Sequence, residues 1–131
     1  MNTQRITRTE IPTEEWPEFI LGFGSSHENW LVTITHSNMV SDVKTVIIGD
    51  MPLEDIELMD DGNLNIIIKA GRDSSAQVTH LIKKPMHIFL EQDEKGADIA
   101  LEIKNYSQET TFLRFRTAAI PVMVDGIIPE R

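Results

Sequence analysis

The sequence predicts a mainly β, α+β domain. An N-terminal helix packs on a strongly curved antiparallel meander or partial barrel of about eight strands. Three observations predict it. A helical apolar stripe occurs only near the N-terminus, between Thr13 and Ser25. From Trp30 to Arg116 the apolar period falls to two. The connections between the alternating runs are too short for crossover helices, so sequence neighbours should pair antiparallel.

Residues 1–12 are polar and are expected to be loose. Residues 13–25 form the predicted helix. Thr13 is placed to cap it, Glu14 and Glu15 complement its positive end, and Pro17 is tolerated in the first turn. Trp16, Phe19, Ile20 and Phe23 make its apolar stripe, which Gly22 and Gly24 weaken towards Ser25. Residues 30–116 hold the strands: Trp30–Thr35, Val43–Ile48, Glu54–Leu58, Leu64–Lys69, Gln77–Ile82, Met86–Gln92, Asp98–Lys104 and Thr110–Arg116. Asp60-Asp61-Gly62-Asn63 is the strongest turn signal between them. A meander of this size curls or closes rather than staying flat, with a two-sheet sandwich as the alternative. Residues 118–131 form an apolar tail, read first as a strap on its own domain and second as an arm exchanged between subunits. The 131 residues carry no linker or repeat, so 1–131 reads as one domain.

Composition narrows function mainly by exclusion. Twelve basic against 21 acidic side chains give a net charge of −9, which repels phosphate backbones and anionic membranes. Nucleic acid and membrane are therefore not expected partners; a basic partner fits. Zero cysteines removes disulfides, iron–sulfur clusters and thiol nucleophiles. No apolar run reaches the ~20 residues that span a bilayer, and no signal core follows Met1. These absences point to the cytoplasm.

The histidines carry the most chemistry. If Lys83-Lys84 is a two-residue hairpin turn, His80 opposes His87 and Glu91 shares the face of His87. Two imidazoles and a carboxylate suit zinc or iron(II), and equally an acid–base pair. One residue of register slip separates them, and ordinary surface or hydrogen-bonded histidines are the simpler account, so no metal or cofactor is expected. Asp60-Asp61-Gly62-Asn63 lacks the calcium-loop pattern. Ser25-Ser26-His27 is adjacency rather than a triad, and helix capping explains the serines. Gly22-Phe23-Gly24 follows a helix instead of opening one, the wrong context for a dinucleotide loop. Phe112, Arg114 and Arg116 share one strand face, where arginines receive an anion or pair with acids such as Glu102 on the next strand. Trp30, Arg114 and Arg116 are the expected ligand or partner surface.

The ordered set Thr13-Glu14-Glu15-Trp16 with Phe19, then His27 to Trp30 followed by Val32-Thr33, has further marks. They are Met51-Pro52-Leu53-Glu54-Asp55-Ile56, His80 before Pro85, Leu101-Glu102-Ile103 and Thr110-Thr111-Phe112-Leu113-Arg114-Phe115. Together these resemble a family of small bacterial proteins with no established activity, over roughly residues 12 to 116. The resemblance implies a stand-alone bacterial domain and nothing about substrate.

The expected function is a non-catalytic binding or assembly module, meeting a protein partner or a second copy through the tail or the sheet edges. The alternative is a small-molecule or metal site in the curved sheet, walled by Trp30, His80, His87 and Arg114 and extending to an enzyme.

Overall fold

The computed structural model describes residues 5–38, 44–69 and 77–119. Of the tail 118–131, expected as a strap or exchanged arm, residues 120–131 lie outside them, and Ala118 and Ala119 continue the last described strand. The elements run β1 (Thr7–Glu10), a 3₁₀ turn (Thr13–Glu15), α1 (Trp16–Ser26), β2 (Leu31–Ser37), β3 (Thr45–Leu58) and β4 (Leu64–Lys69), then β5 (Gln77–Ile82), β6 (Pro85–Gln92), β7 (Asp98–Asn105) and β8 (Thr110–Ala119). The architecture is the expected one, mainly β with one short helix on an antiparallel sheet. The eight strands lie in the order β1-β6-β7-β8-β2-β3-β4-β5, and the sheet is open.

Alternation decides which side chains face the core. In β4, Leu64, Ile66 and Ile68 are buried while Asn65, Ile67 and Lys69 are not. The same period places Val32 and Ile34, Leu101 and Ile103, and Leu113 and Phe115 in one apolar cluster. On helix α1, Trp16, Ile20 and Phe23 join that cluster and Phe19 packs at its margin. Phe23 meets Phe115 of β8 with ring centres 5.8 Å apart, so the helix covers one end of the sheet interior. Gly24 closes the helix onto β3: a Cβ there would lie 3.1 Å from the Ile56 backbone nitrogen.

Four expectations require correction. Residues 1–12 are not loose throughout, since Thr7–Glu10 pairs with β6 in the register Arg8 to Glu91 and Glu10 to Phe89. The Arg8 guanidinium lies over the Phe89 ring at 3.6 Å and its Nε donates to Glu102 Oε1 at 2.9 Å. Ile11 is buried behind it. Thr13 does not cap the helix: no side-chain cap bond forms, and Pro12 precedes the opening turn.

Val43–Ile48 and Glu54–Leu58 are not separate strands. Val43 lies outside the described residues, and Thr45–Ile48 and Glu54–Leu58 belong to one bent strand, β3, whose first part pairs with β2 and whose second part pairs with β4. Register shifts at Ile34 and between Leu53 and Asp55, with Asp50 at φ 47°, turn this strand through the corner of the sheet.

The meander also breaks between β5 and β6. Lys83 and Lys84 join them, yet β6 pairs with β1 and β7, and β8 returns to β2. The link is clamped from both sides. The Lys84 N–H donates to Asn63 Oδ1 at 2.9 Å, and its carbonyl accepts from Tyr106 N–H at 3.1 Å. Lys84 adopts φ 48° and Pro85 has no N–H, so the chain swings away instead of folding back as a hairpin.

Candidate functional site

That clamp separates the expected metal ligands. His80 lies on β5 opposite Ile66, whereas His87 lies on β6 opposite Lys104. His87 Nδ1 donates to Glu10 Oε2 at 2.7 Å, and Glu91 stands opposite Arg8. The His80–His87–Glu91 set is therefore not assembled, and among the described residues no group of three histidine or acidic side chains is placed to hold a metal ion.

His80 instead meets His36, a residue no spacing argument links to it. Strands β2, β5 and β8 and the β7–β8 turn converge at the end of the sheet away from α1. There His36, His80, Glu109 and Thr111 line a hollow of about 190 Å³. His36 Nε2 lies 3.6 Å from Glu109 Oε2, and Thr111 Oγ1 lies 3.5 Å from His80 Nε2. Lys83 also lines the hollow. Desolvation, and secondarily the neighbouring His36, hold His80 below the ordinary imidazole value of 6.5. The unfolded chain then takes up a proton more readily than the folded one. Stability is accordingly expected to fall as pH drops below 6.5 and towards the lower folded value. Urea unfolding at about pH 7.5 and about pH 5.5 checks this, with the pH dependence reduced in His80→Gln.

The expected surface trio divides. Trp30 and Arg116 come together, lining a hollow of about 310 Å³ with Glu28, Asn29 and Leu31. Trp30 also packs against the core and meets Phe115 edge-on at 6.3 Å. Arg114 is exposed on β8 between Ala100 and Thr33 and does not line that hollow. The expected acid partner for these arginines, Glu102, is spent elsewhere. It is 6% exposed, opposite Phe112, and bonded to Arg8.

One polar centre is invisible to spacing arguments. His27, beside two serines and read with them as a helix end, is 1% exposed. Its ring stacks on Phe115 at 4.6 Å and packs on Phe23 at 4.4 Å. Nδ1 donates to the Phe23 carbonyl at 2.7 Å. Nε2 lies 3.1 Å from Asp98 Oδ2, too oblique to count as a hydrogen bond. Carbonyl and carboxylate are both acceptors, so each ring nitrogen faces an acceptor. Asp98 Oδ1 in turn accepts from Gln92 Nε2 at 2.9 Å. Both ring nitrogens face protein partners, so His27 joins helix to sheet and is not placed as a general base for Ser26. Its only local signal is the i+4 spacing from Phe23, which extends the buried helix stripe.

Comparison with known proteins adds nothing to this geometry: no family model, curated protein or solved structure matches the chain.

Proposed function

We propose that the chain is a non-catalytic binding or assembly module that takes a protein strand, its own or a partner's, at the β5 edge. The contrast between the two sheet edges carries this reading. The β1 edge is only four residues long, all exposed, and is blunted by Arg8 and Glu10. Short, charged edges resist strand addition. The β5 edge, Gln77–Ile82, bears no acid, lysine or arginine. Val78 and Leu81, on opposite faces of β5, are 45% and 46% exposed. Such a strand presents backbone hydrogen-bonding groups and apolar side chains together.

The proposed setting is the cytoplasm, which suits a chain with zero cysteines. Among the described residues no helix is long and apolar enough to cross a membrane.

Native mass spectrometry and light scattering across a concentration series test the reading. The wild type is expected to self-associate or retain a protein partner, and Val78→Lys with Leu81→Lys is expected to abolish that association. A monomer that captures nothing, or an edge variant that associates as well as wild type, would overturn it.

A second reading, a small-molecule or metal site, is favoured by the hollow lined by His36, His80 and Glu109. The sheet centre itself is filled by Ile34, Leu53, Ile66 and Leu101. An adduct seen by native mass spectrometry and lost in His80→Ala would support it.

A further inference from the structure

Helix α1 and the second part of β3 leave a groove between them of about 670 Å³. Its apolar surface comes from Pro17, Ile20, Leu21, Leu58 and Met59. Leu21 is 70% exposed, although it lies beside the fully buried Ile20, and Met59 is 40% exposed. Apolar area left in water favours a partner that covers it.

The polar lining is of one sign. Asp55, Glu57 and Asp60 line the groove, and among the described residues no lysine, arginine or histidine does. Asp55 Oδ1 accepts the Ile56 N–H at 2.8 Å, which fixes its carboxylate beside Gly24. No ion pair involves any of these three acids among the described residues. An apolar floor between unpaired carboxylates repels acidic or phosphate-bearing ligands. It complements a chain with apolar anchors and flanking positive charge. The groove is also separate from the β5 edge, so both can be occupied.

We infer that the α1–β3 groove is a docking site for a basic amphipathic peptide segment of a protein partner, with apolar side chains over Leu21 and Met59 and lysine or arginine against Glu57 and Asp60. This rests on the binding-module reading and supplies the chemistry of its partner. A flexible methionine beside an exposed leucine suits anchors of varied shape.

The test uses the full chain and a fluorescein-labelled Lys-Leu-Leu-Lys-Lys-Leu-Leu-Lys peptide, followed by fluorescence anisotropy. A lysine–glycine peptide of equal charge is the comparison and is expected to bind about tenfold or more weakly. Leu21→Asp with Met59→Asp makes the protein more acidic. Simple charge attraction would therefore strengthen binding in that variant, whereas loss of the apolar floor is expected to weaken it about tenfold. Glu57→Lys is expected to weaken it further than Glu94→Lys, an equal change of charge in a turn outside the groove. These sites are exposed, and circular dichroism confirms that each variant is folded.

Unchanged or tighter binding to Leu21→Asp with Met59→Asp overturns the inference. So does dissociation of a self-assembled wild type by the same variant, which would make a second copy the occupant. The edge variant Val78→Lys with Leu81→Lys is expected to bind the peptide as wild type does, so failure at the groove and failure at the edge are read separately.

Discussion

Replacing Asp98 by alanine is expected to lower the unfolding free energy by about 1–3 kcal/mol, the usual cost of leaving a buried polar group without its partner. The magnitude follows from where His27 would be left. At 1% exposure it cannot turn to water, and its Nε2 would lose the carboxylate 3.1 Å away. Gln92 is less affected, because its Nε2 also donates to the Gly96 carbonyl at 3.2 Å. The double variant His27→Phe with Asp98→Ala is expected to recover most of the loss. A phenyl ring keeps the stack on Phe23 and Phe115 and asks for no polar partner. Urea unfolding of the wild type, the two single variants and the double variant measures the coupling. Additive single losses would show that the contact contributes nothing beyond packing.

The two helix glycines should respond in opposite directions. Gly22 has open space where a Cβ would go, so Gly22→Ala gains about 0.8–1 kcal/mol of helix propensity. Gly24 has no such room. Its Cβ would fall 2.6 Å from Asp55 Oδ1 and 3.1 Å from the Ile56 backbone nitrogen. The carboxylate cannot swing clear without losing its bond to the Ile56 N–H. In Gly24→Val the overpacking, commonly 1–3 kcal/mol, outweighs the few tenths of a kcal/mol of helix propensity, roughly, that valine gains over glycine. A net loss of about 2 kcal/mol is expected from that difference. Thermal melts of the two variants against wild type check both signs.

Much of the fold was legible because local pattern and burial agree. The Leu64, Ile66, Ile68 alternation and the Trp16, Ile20, Phe23 stripe both enter the core as their periods require. The Asp60–Asn63 turn also holds, with Gly62 at φ 90° and the Asn63 N–H donating to Asp61 Oδ1. Illegible features depend on contacts remote in sequence. Nothing near Thr7-Arg8-Thr9-Glu10 marks a strand, since its extended state is held by Phe89 and Glu102. The Lys83-Lys84 link looks like a hairpin until Asn63 and Tyr106 clamp it. For the same reason the site residues were only half legible. His80 was singled out, but its neighbour His36 becomes visible only once β2 and β5 share an end of the sheet.

The return of β8 to β2 has a consequence for the order of events in synthesis. Thr35 cannot find Phe112 until β8 has left the ribosome. Until then β2 can pair only with β3, and its other side stays unprotected. Strand β1 waits as well, because its partner β6 is made much later. Non-local closures of this kind slow folding, towards milliseconds to seconds for sheet-rich domains. The nascent chain therefore exposes sheet edges that the folded molecule hides, and the growing polypeptide is expected to be aggregation-prone until β8 emerges.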